Sequence, residues 1–348
     1  MQEIGHLVHF KYIFLAFIFF AGFSFAQKYP DDKIHNILTQ GIQEIINHDY
    51  EAARTKFEKL TSDYPNNPLG KIYLAAVEIA RSYDNAEEFN DQLIMNYLDE
   101  AEAQSEKLLA KEPKNVWNKY FLALVKGYNA YYKALNESWI PAFTKGMSSV
   151  SDFEDCLEIN PEFYESYIAI GAYKYWSSSK TEFINWLPFI SDDKDKGIDY
   201  LKKAIKYSTY NSYLAAYSLI WVYIDRENFS DAEKVAEDAL KKNPGSRLFK
   251  WGLARIYEEI DKKKAINLYY EVLKSYPPEG LKNHINEVVI KHIIAQLYYK
   301  LGQKENALQI CNDILSIKDF SEFAAEELDS RIERVKKLKR KILQDLED

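Results

Sequence analysis

One side-chain pattern returns seven times along this chain, and few folds can accommodate it. It starts at a small residue, steps four positions, then three, and ends five further on at a proline or loop residue. Two clear copies are Ala232, Ala236, Ala239, Pro244 and Ala265, Tyr269, Val272, Pro277. The others read Ala53, Phe57, Leu60, Pro65; Ala101, Ser105, Leu108, Pro113; Ser149, Phe153, Cys156, Pro161; Gly197, Leu201, Ala204, Thr209; and Ala307, Cys311, Ile314, Asp319. Steps of four and three put these side chains on one helical face. Small residues there let a second helix approach, and the proline ends the helix before the next unit. A matching position precedes each copy, at Gly41, Ala75, Ala123, Gly171, Ile220, Ala254 and Ala295. The unit is therefore a helical hairpin, and strands are excluded as its basis.

Two units fit a known pattern almost throughout. One runs Leu219, Ile220, Tyr223, Phe229, Ala232, Ala236, Ala239, Pro244, and the other Ile294, Ala295, Tyr298, Gly302, Ala307, Cys311, Ile314. Residues 34–319 on this basis resemble the tetratricopeptide repeat family. The resemblance implies an all-α fold, a right-handed superhelical solenoid of about seven stacked hairpins with a concave peptide-binding groove, and no catalysis. The chain departs from the family in lacking most tryptophans expected early in each first helix, and in unit length.

The departure in length is regular. Ala53, Ala101, Ser149 and Gly197 stand 48 apart, whereas Ala232 follows Gly197 by 35 and Ala265 follows Ala232 by 33. The interval between the two matching positions is 12 from Gly41 to Ala53 but 26 from Ala75 to Ala101, Ala123 to Ser149 and Gly171 to Gly197. At about 3.6 residues per turn the excess adds two turns to both helices with little change of face. Pro141 and Pro188 assign part of it to loop, Pro141 falling in the first turn of a second helix. Elongated hairpins are thus expected in units two to four, protruding along one edge. Residues 320–348, rich in charge, read as a C-terminal capping helix.

The first residues read as an address. An apolar run from Tyr12 to Phe23, with small Ser24 and Ala26 after it, predicts a signal peptide over 1–26 cut before Gln27. The run is shorter than the roughly 20 apolar residues that span a bilayer. The expected location is periplasmic or secreted, with no transmembrane helix after cleavage, and residues 27–33 read as a flexible leader. The net charge of -8 argues against nucleic acid as partner, since phosphate binding needs clustered Lys and Arg in excess.

Aromatic residues gather where the first helices of such an array face the groove: Trp117, Tyr120, Tyr128, Tyr173, Trp176, Tyr217, Trp221, Trp251, His292 and Tyr299, with Arg255 on the same surface. Rigid aromatic faces give contact area at low entropic cost. Packing of hairpin on hairpin accounts for the same residues. The long units carry a second set, Tyr131, Tyr132, Trp139, Phe143, Phe183, Trp186 and Phe189, which form either a partner patch or mutual packing.

No metal or cofactor is expected. His284 and His292 stand eight apart around Glu287, too far for zinc ligands on one turn. Residues 191–195 (SDDKD) lack the glycine and distal Glu of a calcium loop. Cys156 and Cys311 occupy equivalent interior positions and read as small buried hydrophobes. No nucleophile has a base beside it. The reading is a non-enzymatic scaffold of the cell envelope that binds a protein or peptide in an aromatic groove, compatible with peripheral association with an envelope complex. The rival reading is a small-molecule or glycan binder using the extended hairpins of residues 128–190.

Overall fold

The structure is a computed structural model that describes residues 27–136, 139–180 and 193–347, without the side chains of 136–148, 180 and 279. Among the described residues it holds fifteen α-helices and no strand. The helices run in pairs. They are α1 (Asp32–Ile46) and α2 (Tyr50–Asp63); α3 (Leu69–Asn85) and α4 (Asp91–Lys111); α5 (Val116–Asn136) and α6 (Trp139–Ile159); α7 (Tyr167–Lys180) and α8 (Lys194–Tyr207). Then follow α9 (Ser212–Asp225) and α10 (Phe229–Lys242); α11 (Arg247–Ile260) and α12 (Lys262–Lys274); α13 (Ile285–Lys300) and α14 (Lys304–Ser316); and last α15 (Glu322–Glu347).

Local chemistry sets these boundaries. Asp31, Asp49, Asn90, Asn228 and Asp261 cap their helices by accepting backbone N–H groups of the first turn. Pro65, Pro113, Pro161, Pro244 and Pro277 lie just beyond the second helix of five pairs, as the repeat demands. Within pairs, the tight turn puts His48, Glu227 and Gly302 in the left-handed region, at φ 63°, 54° and 75°. Only Gly302 adopts it without a Cβ penalty.

The recurring positions form the core. Ala53, Phe57, Ala101, Cys156, Leu201, Ala232, Tyr269, Ala307 and Ile314 are all fully buried. Each buried Leu, Ile or Phe of this kind contributes about 1.5–3 kcal/mol. The backbones of α7 and α8 approach closely: a Cβ on Gly171 would lie 2.9 Å from the Gly197 carbonyl oxygen, and one on Gly197 2.7 Å from that of Gly171. Both cysteines are buried and free, and burial pushes the Cys156 thiol up to about 12 and that of Cys311 to about 11.

Helix lengthening accounts for the long units where it is described. α4, α5 and α6 each run 21 residues, against 13 or 14 in α10, α11, α12 and α14. α6 begins at Trp139 and places Pro141 in its first turn. α7 and α8 have 14 residues each, and the excess of that unit, with Phe183, Trp186, Pro188 and Phe189, lies outside the described residues, as does 1–26. α15 packs on α13 and α14 through Ala324, Leu328, Val335 and Ile342, which caps the array.

Candidate functional site

The array bends until its beginning meets its later hairpins. Arg247, at the start of α11, donates from Nε to Asp84 at the end of α3 at 3.1 Å, and its second terminal nitrogen reaches the same carboxylate. Its remaining terminal nitrogen donates to the Ser275 carbonyl at 3.0 Å, and its guanidinium lies 4.5 Å from the centre of the Tyr276 ring. The Arg247 backbone N–H donates to His48 Nε2 at 2.8 Å, and Tyr50 donates to Asp84 at 2.9 Å. Burial acts to raise the Asp84 carboxyl, but hydrogen bonds and charge from His48 and Arg247 outweigh it and hold the group at about 2. Asn286 reaches the Asp84 carbonyl at 2.8 Å and Asn283 that of Ala86 at 2.6 Å. The bonds from Arg247 to Asp84 and His48, and those from Asn286 and Asn283, join residues 163 to 202 positions apart.

A second seam closes the other side. Tyr29 donates its backbone N–H to Tyr210 Oη at 2.8 Å, and Asn67 donates to Tyr29 Oη at 3.0 Å. Thr209 Oγ1 donates to the Gln27 carbonyl at 2.9 Å. The Tyr29 ring stands edge-on to Trp117 at 5.1 Å, and Trp117 in turn meets Phe163 at 5.0 Å and Tyr210 at 6.2 Å. Of residues 27–33, expected as a flexible leader, Gln27 and Tyr29 are anchored at these points, and Asp32 and Lys33 already belong to α1. Beneath it Glu165, fully buried, accepts from Thr209 N at 2.6 Å, Tyr210 N at 2.9 Å and Asn211 Nδ2 at 2.9 Å. Burial raises its carboxyl despite those bonds.

Beside the first seam, tyrosines of three first helices come together. Tyr131 of α5 is 49% exposed and Tyr83 of α3 is 56% exposed. Burial nevertheless raises the Tyr131 hydroxyl, with Tyr83, Tyr217 and Tyr128 close enough to add to the shift. Burial likewise raises the Tyr128 and Tyr213 hydroxyls and pushes Tyr217 up to about 12. Tyr217 stands edge-on to Trp221 at 6.0 Å along α9. Three first helices, α3, α5 and α9, thus supply one aromatic wall.

Comparison with known proteins agrees with this architecture. Residues 217–279 match the tetratricopeptide repeat family. That stretch carries tetratricopeptide repeats. Human IFIT1, solved as a dimer with m7Gppp-AAAA, has a TM-score of 0.50 at 19% identity, over 84% of this chain and 60% of that one. YrrB, a TPR protein with an unusual peptide-binding site, has a TM-score of 0.42 at 12% identity, over 65% of this chain and 97% of its own. The C-terminal part of a TPR protein from Cytophaga hutchinsonii has a TM-score of 0.42 at 16% identity, over 84% and 99%. At such identities the likeness is one of fold. No curated protein matches the chain.

The repeat array divides the expected groove residues into groups. Tyr128 and Tyr217 stand in the tyrosine group with Tyr131, Tyr83 and Tyr213, and Trp221 packs edge-on to Tyr217. Trp117 and Tyr120 are buried, at 7% and 2% exposure, in the aromatic cluster under Tyr29. Tyr173 and Trp176 are half-buried on α7, Trp176 edge-on to Tyr175 at 5.1 Å. Trp251 packs edge-on to Tyr269 at 5.4 Å. Arg255 forms an ion pair with Glu258 of its own helix. Tyr299 donates to Asp345 of α15 at 2.5 Å, and His292 is buried beside the same helix. The side chains of Trp139 and Phe143 lie outside the described residues; Tyr132 is buried and bonds Asp91. Tyr83 and Tyr213 were not singled out by the repeat. Tyr83 sits eight residues past Ala75, on the part of α3 that ordinary units lack.

Proposed function

We propose that the chain is a non-enzymatic binding scaffold exported to the cell envelope, and that the tyrosines of α3, α5 and α9 wall a hollow that holds a peptide segment of a partner protein. The observation that carries this reading is Tyr131, open to water yet surrounded by Tyr83, Tyr128 and Tyr217. Tyrosines on rigid helices offer flat apolar area and hydroxyls with only two torsions each to immobilise. The two seams fix the wall, so little further ordering is lost on docking.

The test is capture of partners from a periplasmic extract with wild type and a Y131A/Y217A double variant, both checked for helicity. Wild type should retain a partner that the double variant loses. An unchanged set of partners rules the hollow out. Stabilisation of wild type by a sugar or other small ligand, abolished by the same substitutions, would turn the assignment toward a small-molecule site. Export is tested separately, by sequencing the N-terminus of secreted protein, with Gln27 expected first.

A further inference from the structure

The seam between α13 and α15 contains polar groups with nothing to bind. His292 on α13 is 1% exposed, and neither its Nδ1 nor its Nε2 has a hydrogen-bond partner. Buried polar groups are nearly always bonded, and an exception calls for a missing water or ion. On the facing helix the buried stripe is Ala324, Leu328, Val335 and Ile342. Arg331 stands within that stripe, three residues after Leu328 and four before Val335, where the helical period calls for an apolar side chain. Arg334 follows one turn on.

Neither guanidinium has a carboxylate within ion-pairing distance among the described residues; Glu327 stands one turn before Arg331 on the same helix, and the other nearby acids are engaged elsewhere. Glu333 pairs with Lys336, Glu287 with Lys291 and His284, and Asp345 accepts from Tyr299. Both arginines are close enough to His292 to lower its affinity for a proton, and Arg334 does the same to Arg331. Exposure falls from Arg334, exposed, through Arg331, half-buried, to His292, buried. The cluster is thus a positive path leading inward from solvent with no counter-charge of its own.

We propose that His292, Arg331 and Arg334 form a binding site for one oxyanion, a phosphate or carboxylate group, at the seam of the last hairpin and the capping helix. The planar guanidinium fork matches two oxygens of such a group, and a ring N–H of His292 supplies a third donor. Binding would remove the like-charge repulsion between the arginines and fasten α15 to α13.

The test follows thermal unfolding of the full chain while inorganic phosphate, acetate or chloride is added at matched ionic strength. The site requires a saturable rise of the midpoint with phosphate or acetate that chloride does not reproduce. Phosphate alone indicates a phosphoryl ligand, and acetate alone a carboxylate. R331Q and R334Q should each weaken the half-saturating concentration by about tenfold, the worth of one charge-assisted contact. K336Q, whose lysine is already paired with Glu333, should respond as wild type does. Should R331Q fail to fold, R334Q, altered at an exposed position, still decides the matter. A wild type without saturable response, or an equal response in R331Q and R334Q, overturns the site and leaves bound water as the partner of His292.

Discussion

Replacing Arg247 by methionine tests whether the array is held shut by the Asp84 cluster. The Arg247 side chain is 8% exposed and that of Asp84 13% exposed, so solvent screens the pair little. Holding the Asp84 carboxyl at about 2 instead of the ordinary 3.8 corresponds to ~2.5 kcal/mol of preference for its charged form in the folded chain. Removing one partner of a buried pair strands the other, at a cost of about 3–5 kcal/mol. His48 and Tyr50 keep contact with Asp84, which places R247M near the lower end, ~3 kcal/mol. Urea unfolding at neutral pH measures the loss, and small-angle scattering reads the size of the folded state. R247M should expand the chain, and D84N/R247M should recover part of the loss because no stranded charge remains. The acid limb supplies a second sign. A carboxyl lowered by folding stabilises above its unfolded value and loses that contribution as pH falls through its folded value, here between about 4 and 2. R247M should flatten that limb. A loss under about 0.5 kcal/mol, with unchanged dimensions and no coupling between the two substitutions, would refute the closure.

Two further outcomes follow from close packing and burial. G197A places a methyl 2.7 Å from the Gly171 carbonyl and 2.9 Å from the Tyr175 nitrogen, both backbone atoms that cannot swing away. It should cost about 1–3 kcal/mol by urea unfolding, whereas G245A, with open space around the new methyl, should cost much less. Burial, with Arg331 and Arg334 nearby, lowers His292 to about 4. Its neutral ring stabilises fully above about 6.5, and the contribution is lost as pH falls from there to about 4, amounting to ~3 kcal/mol. H292L should remove that slope between pH 6.5 and 4, measured in chloride buffer; a slope identical to wild type's would count against a buried neutral imidazole.

The hairpin pattern was legible because its determinants are local. Ala232, Ala236 and Ala239 lie on one turn-spaced face, Pro244 ends their helix, and all three alanines are buried as the period requires. The first two 26-residue intervals were readable as longer helices for the same reason, and α3 to α6 carry them, while the excess of the third lies outside the described residues. Closure was not legible. Whether Arg247 meets Asp84 depends on small rotations accumulated over the intervening hairpins, and no periodicity reports their sum. Tyr29 illustrates the same limit: Gln27 to Lys33 has the composition of a loose leader, yet Trp117, Asn67 and Tyr210 converge on it from three distant helix ends. Trp117 and Tyr120 therefore share the phase of groove residues but lie beneath the segment that covers them. Tyr217 and Trp221, in the same phase, are half-buried and pack edge-on to each other.

Arrays of this kind ordinarily lengthen or shorten by whole units, because each hairpin needs only its neighbours. The bonds from Arg247 to Asp84 and from Tyr210 to Tyr29 withdraw that freedom. Deleting or duplicating a hairpin between α3 and α11 would carry Arg247 past Asp84 and leave a charge stranded at each site. The number of units here is set by a circumference, and melting is expected to proceed all at once instead of fraying from either end.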